Sequence, residues 1–427
     1  MMKKYLSTVL ILILLFSFSA VVKAQGNNIT LKEIYTDHNG KTMIVSDKGD
    51  TTSAPENSLM AIHNAENKGA DIIRINIRST ADGVLVLMAD ETVTRTCYGY
   101  GENTVVSEMT YDEIKTLHLL GGKGGHGAKN TTLTVPTLEE VFKDRKMYYL
   151  SSSALNPEEK ALFMLDFDWS AKDEICNLVT ANNMQNEVIF YIDDAKPDEI
   201  SAWKETLSFE PMIMTYFKGN VIFAATANVK NDSEIAQGIH LATKNPYGVI
   251  FGETVQNKAY ESEIRTMAAP CDPEICGKIM QDTEVWWDYL ISAGFNMIMT
   301  DNISGLKDYL KDCSEKEQVL DKYFNDNIKG YSLPDFNSDK FLDYKRAYNN
   351  AYDFTLSVLN DNSSARSDIV TAEYEIKKAC SDINANYTEL EKGTAGMTVT
   401  PITILLCIAA VAVVVAAEIY VYKKKEK

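Results

Sequence analysis

Gly69-Ala70-Asp71-Ile72-Ile73-Arg74-Ile75-Asn76-Ile77-Arg78 runs through Ser79-Thr80-Ala81-Asp82-Gly83 into Val84-Leu85-Val86-Leu87-Met88-Ala89-Asp90-Glu91. Residues 71–78 and 84–88 are rich in β-branched side chains and read as strands on either side of an Ala-Asp-Gly turn. The same texture recurs outward at residues 42–46, 163–167, 188–192, 211–214, 248–251 and 296–300. Several of these runs are almost uninterrupted apolar stretches, as expected of strands buried on both faces. Helical patterns lie between them: residues 58–68 follow Pro55-Glu56-Asn57, with Asn57 the expected N-cap, and Pro136 opens a helix through Phe142. Alternation of this kind over residues 41–312 predicts an α/β domain. It is either a closed eight-stranded (β/α)8 barrel or an open doubly wound sheet, and the pattern alone does not choose.

The 427 residues are 45% hydrophobic and 24% charged, the content of an ordinary globular chain. Sixty acidic residues against 42 basic ones give a net charge of -18, a field that repels phosphate backbones, so no nucleic-acid partner is expected. Both termini point to a membrane. Lys3 and Lys4 precede an apolar run from Val9 to Phe18, followed by the cleavage-like Ala20-Val21-Val22-Lys23-Ala24, which reads as a signal peptide over residues 1–24. Residues 402–422 are apolar almost throughout and long enough to cross a hydrocarbon core of about 30 Å, with the Lys-rich residues 423–427 expected on the cytoplasmic side. The expected arrangement is a single-pass cell-membrane protein with an extracellular N-terminal ectodomain.

Residues 331–391 change texture. Phe341, Tyr344, Tyr348, Tyr352 and Leu356 fall on one helical face, and Ile369, Ala372, Ile376, Ala379 and Ile383 on another. A small helical module is predicted there, reading as a spacer between barrel and membrane. Among the seven cysteines, Cys271 and Cys276 are close enough in sequence to bridge, and no His lies at zinc-ligand spacing from a Cys pair.

Residues 43–142 resemble the glycerophosphodiester phosphodiesterase family, whose fold is a (β/α)8 barrel. The family's strand ending in His-Arg-Gly, five residues and Pro-Glu-Asn is matched by Asp47-Lys48-Gly49, five residues and Pro55-Glu56-Asn57. Its Gly-Ala-Asp, Glu-x-Asp, Asp-Gly turn and His-Asp-Glu are matched without a gap by Gly69-Ala70-Asp71, Arg74-Ile75-Asn76, Asp82-Gly83 and Ala89-Asp90-Glu91, followed by Arg95-Thr96. Further matches lie at Met109-Thr110-Tyr111-Asp112-Glu113-Ile114, Val135-Pro136-Thr137-Leu138-Glu139-Glu140 and residues 294–301.

The departures fall on the chemistry. The resemblance implies two histidines as general acid and base, and a divalent cation on the Glu-x-Asp pair and a later acid. The histidine positions hold Asp47 and Ala89, the metal pair is Arg74 and Asn76, and only Asp166 keeps its carboxylate, with Asp168 where the family has Lys. A guanidinium repels a cation, and Ala89 transfers no proton, so impaired catalysis and no bound metal are expected. Two readings of the altered site stay open. Arg74 and Asp166 form an ion pair that stands in for cation and ligand, or Arg74 and Lys48 clamp a phosphate-bearing ligand such as a glycerophosphodiester. The competing class is an active hydrolase using Asp47, Glu56, Asp166 and Asp168 as its acids, with Ca²⁺ or Mg²⁺ as cofactor; a third is adhesion through residues 331–391. Of the histidines, His63 is expected at the surface and His118 in packing. The Gly-rich residues 121–127 are a loop that could bring Lys123 or His126 to the barrel mouth.

Overall fold

The computed structural model describes residues 30–391 apart from 100–103, 152–159, 220, 243–252, 273–280, 330–332 and 334–338. The expected signal peptide, the strand at 248–251, Cys276, the membrane helix at 402–422 and the basic tail lie outside the described residues. Among the described residues no helix is long and apolar enough to cross a membrane.

In chain order the strands are β1 (Met43–Asp47), β2 (Ile72–Ser79), β3 (Leu85–Leu87), β4 (Cys97–Tyr98), β5 (His118–Leu120), β6 (Asn130–Thr134), β7 (Leu162–Phe167), β8 (Val188–Ile192), β9 (Met212–Lys218), β10 (Gly238–Ala242), β11 (Arg265–Ala268) and β12 (Met297–Thr300). β1 pairs in parallel with β2 on one edge and with β12 on the other, and β7 to β11 complete the circuit. The sheet therefore has no free parallel edge, and the open-sheet alternative is excluded. Every residue of β1, β8, β10, β11 and β12 is buried, because the barrel interior covers one face and the surrounding helices the other.

Three expectations, two about strands and one about a helix cap, are corrected. β3, within residues 84–88, runs antiparallel beside β2 and is not a barrel strand. It leads into an insertion in which β4, β5 and β6 form a small sheet over a separate core of Val86, Met88, Val93, Met109 and Ile114. β10 and β11 supply barrel strands that no apolar run announced. Ser58, not Asn57, caps the helix after Pro55, accepting from Ala61 N at 3.1 Å.

The helices are α1 (Leu31–Thr36), α2 (Leu59–Lys68), α3 (Tyr111–Ile114), α4 (Leu138–Ser151), α5 (Lys172–Ala181), α6 (Pro197–Lys204), α7 (Ile222–Asp232), α8 (Glu253–Glu261), α9 (Glu284–Ser292), α10 (Ile303–Asn327), α11 (Asp339–Leu359) and α12 (Arg366–Glu391). α1 closes the floor, where Tyr35 donates to Ile213 O at 2.9 Å. The helical module is present, and α10 runs from the barrel wall into it without a break. Phe324, Tyr348, Ala351, Ile376, Ala379 and Ile383 form its core. Ile369 and Ala372 pack instead with the barrel core, and Arg366 ties the module to the wall through Asp312 at 3.2 Å and Glu284 at 2.8 Å.

Candidate functional site

At the C-terminal ends of the strands the register brings the altered positions together. Asp47 on β1 lies opposite Arg74 on β2, and Asn76 lies opposite Asp166 on β7. Arg74 and Asn76 are two residues apart and so share one face of the strand, the inner one. Beyond β1 the chain turns through Lys48 and Gly49 at φ +63° and +80°, which lays the Lys48 ammonium on the Asp47 carboxylate. Gly49 is required there, since a Cβ would sit 2.7 Å from the Ala61 carbonyl carbon.

Arg74 bridges two carboxylates: Nη1 donates to Asp47 Oδ1 at 3.1 Å and Nη2 to Asp166 Oδ2 at 2.5 Å. Asn76 Nδ2 donates to the same Asp166 oxygen at 2.6 Å, and Asn57, left-handed at φ +57°, reaches Asn76 through its own amide. Burial would push the Asp47 carboxyl up, but the charges of Lys48 and Arg74 outweigh it and hold the group at about 2. Burial likewise opposes the Arg74 charge, and Asp166 and Asp47 reverse that, so the guanidinium is held more firmly than usual.

Beneath Arg74 lies an aromatic floor that sequence reasoning missed. The guanidinium sits 5.0 Å from the Tyr191 ring centre, and Tyr191 Oη is 2.9 Å from His240 Nδ1. His240 is wholly buried; that burial, with the Arg74 charge above, lowers it to about 3, so its ring is neutral and donates no acid proton.

Above the cluster is a cavity of about 530 Å³ whose lining includes every singled-out position: Asp47, Lys48, Glu56, Arg74, Asn76, Ala89, Asp166 and Asp168. Lys123 reaches it from the Gly-rich loop, while His126 is exposed and does not line it. His63 is half-buried rather than on the surface, stacked on Tyr148 and 2.6 Å from Asp144. His118 packs against Tyr98 as expected. The sequence reading also missed the part Arg95 plays. It donates to Glu56 and Asp90, each at 2.6 Å, closing one wall of the mouth. The signal was available in the Asp90-Glu91 and Arg95-Thr96 pairs, quoted only as family matches. Just beyond β8, the Asp193 carboxyl is pushed up to about 6 by partial burial and then by Asp166 and Asp194.

Among the described residues seven carboxylates and five cationic groups line the cavity. Each of the five cations is already held by a carboxylate: Lys48 by Asp47, Arg74 by Asp47 and Asp166, Arg78 by Asp168 at 2.9 Å, Arg95 by Glu56 and Asp90, and Lys123 by Asp301 at 2.5 Å. The residues at the family's cation position do not fit a divalent ion. Such an ion needs several oxygen donors aimed at one point. Here the oxygen of Asp166 that would serve already takes N–H groups from Arg74 and Asn76.

Residues 48–245 match the glycerophosphoryl diester phosphodiesterase family. Over that stretch the barrel is similar to that family. A glycerophosphodiester phosphodiesterase from Caldanaerobacter subterraneus is 41% identical over 103 residues, 24% of this chain and 40% of that one. Glycerophosphodiester phosphodiesterase 1 from Bos taurus is 25% identical over 222 residues, 46% of this chain and 63% of that one. The chain thus spans less than two thirds of the length of either relative. A glycerophosphoryl diester phosphodiesterase structure from Parabacteroides distasonis is 18% identical, covering 66% of this chain and 92% of that one with a TM-score of 0.49. The matched stretch includes Arg74, Asn76, Ala89 and Asp166 together with the intact Pro55-Glu56-Asn57 turn, while Asp47 lies one residue before it.

Proposed function

We propose that this glycerophosphodiester phosphodiesterase-like barrel has lost its family's metal-assisted hydrolysis, and that the chain serves as a non-hydrolytic surface protein. The signal and membrane segments read from the sequence would place it outside the cell, held by its C-terminal helix, with the helical module as a stiff spacer. One observation carries the reading: the Arg74 guanidinium fills the cation position and is bound on both sides by Asp47 and Asp166. With the first histidine position occupied by an ionised Asp47 and the second by Ala89, neither end of a phosphodiester meets a proton donor. The same ion pairs weigh against the anion clamp, because a phosphate would have to displace a carboxylate from Arg74 or Lys48, in a mouth where carboxylates outnumber cations.

The test is an assay of the purified full chain for glycerol 3-phosphate release from glycerophosphocholine, with Ca²⁺ or Mg²⁺ added. No turnover above background is expected. Turnover abolished by Asp47→Asn or Asp193→Asn would establish a hydrolase working through unusual acids and overturn the proposal. Calorimetric heat with glycerol phosphate that Arg74→Ala removes would establish the clamp in place of the scaffold.

A further inference from the structure

At the opposite end of the barrel, where the loop between α11 and α12 meets α8 and the segment after α1, lies a second cavity of about 700 Å³. Its chemistry differs in kind from that of the mouth. Among the described residues no Lys or Arg lines it and Asp361 is its one carboxylate, whereas six side-chain amides do line it. Two of those amides serve the fold. Asn296 joins His38 O at 2.7 Å and Thr266 N at 3.2 Å, and Asn362 joins Asn39 O at 2.9 Å. The others do not: the side-chain amides of Asn39, Asn257 and Asn360 make no hydrogen bond within the described residues. Gln256 is only 7% exposed, yet its Nε2 has no partner while its Oε1 accepts from Thr266 at 2.9 Å. A buried amide left unpaired costs about 1–3 kcal/mol. Beside these groups the Tyr260 ring, 63% exposed, stands edge-on to His38 at 5.6 Å between ring centres.

We propose that this cleft binds a neutral oligosaccharide. A sugar hydroxyl both donates and accepts, as a carboxamide does, so unpaired amides on three separate chain segments match a ligand dense in hydroxyls. The C–H face of a pyranose ring is apolar and suits the open face of Tyr260, whose polar tip remains wet. The volume lies within the roughly 300–1,000 Å³ usual for small-molecule sites. Other classes fit less well. An anionic ligand finds no Lys or Arg in the lining and meets a chain of net charge -18. A wholly apolar ligand would strip water from the amides without replacing it. An extended peptide has no strand edge to join, because β11 and β12 are paired on both sides.

The experiment is a calorimetric titration of the full chain, kept in a detergent without a sugar headgroup, against maltotriose, cellotriose and chitotriose in turn. At least one trisaccharide should bind saturably, with affinity falling about tenfold or more in both Tyr260→Ala and Asn257→Ala. Both residues are exposed, so neither substitution removes core packing. Absence of saturable binding to all three sugars at about 10 mM overturns the proposal. So does binding that both variants leave intact, or binding lost in Arg78→Ala but kept in Tyr260→Ala, which would put the sugar in the mouth instead. None of these outcomes bears on hydrolysis at the mouth.

Discussion

Arg74→Leu removes the one charge that Asp47 and Asp166 share. Asp47 is 3% exposed and Asp166 17%, so neither carboxylate recovers its hydration when the guanidinium is gone. Breaking a buried pair by deleting one partner typically destabilises by about 3–5 kcal/mol, which for a domain of this size lowers the melting temperature by on the order of 10 °C. The pH dependence separates this cause from simple loss of packing. In the native chain Asp47 is held at about 2 against an ordinary 3.8. A depressed carboxyl of this kind stabilises fully above about 3.8, and its contribution, about 2 kcal/mol, is lost as the pH falls toward 2. Without Arg74 the Asp47 carboxyl rises, the variant prefers it protonated, and the gap to the native chain should narrow as the pH drops from 7 to about 4. Urea denaturation of both proteins at those two values measures it. Adding Asp166→Asn to the variant should restore part of the loss at pH 7. A gap that stays constant with pH, or a variant as stable as the native chain at neutral pH, would refute the assignment of Arg74 as a resident counter-charge.

Arg74→Glu combined with Asn76→Asp places three carboxylates, with Asp166, where the guanidinium now sits. Ca²⁺ should raise the melting temperature of this double variant and leave that of the native chain unchanged, as thermal unfolding with and without the ion would show. His240 is held at about 3, below its ordinary 6.5, so it favours folding when neutral. Its contribution is complete above 6.5 and is lost as the pH falls from there toward 3; His240→Gln should flatten that part of the stability profile in urea melts. Gly49→Ala forces a side chain into a left-handed position and against the Ala61 carbonyl carbon at 2.7 Å, and should destabilise by roughly 1–3 kcal/mol in the same assay.

The barrel was legible where strand and motif coincide. Apolar β1, β2, β7 and β8 stand where their runs predicted them, and the ungapped register from Gly69 to Glu91 carried Arg74, Asn76 and Ala89 to the mouth that Asp47, Lys48, Glu56, Asp166 and Asp168 share. β10 and β11 were illegible for a physical reason. Arg265 opens β11 fully buried, and its partners are the backbone carbonyls of Ile34, Tyr35, Lys41 and Asn296, groups that every sequence possesses and none advertises. His240 also interrupts β10, its Nδ1 paired with Tyr191 from a strand 49 positions away. Asn57 was misread as a cap because a polar side chain before a helix usually turns toward the helix's own amides. Here it turns across the barrel to Asn76 instead. The ion pair between Arg74 and Asp166 was foreseeable from strand neighbours, whereas the engagement of all five mouth cations depended on loops whose paths no local pattern encodes.

On the proposed reading, the pairing of the five mouth cations lets an acidic mouth do without an external ion. Carboxylates gathered at the end of a barrel repel one another, and with a bound cation their repulsion is relieved only in proportion to ion concentration and affinity. A guanidinium on β2 supplies the same relief as part of the chain, at an effective concentration no dilution can change, and its planar fork can serve two carboxylates at once. Its fixed place has a consequence for chemistry. A metal presents open coordination positions to a substrate, while Arg74 spends Nη1 on Asp47 and Nη2 on Asp166 and rests its face on Tyr191. On the proposed reading, what stabilises the barrel is withheld from a ligand, and stability of the mouth and catalysis within it are set against each other by one side chain.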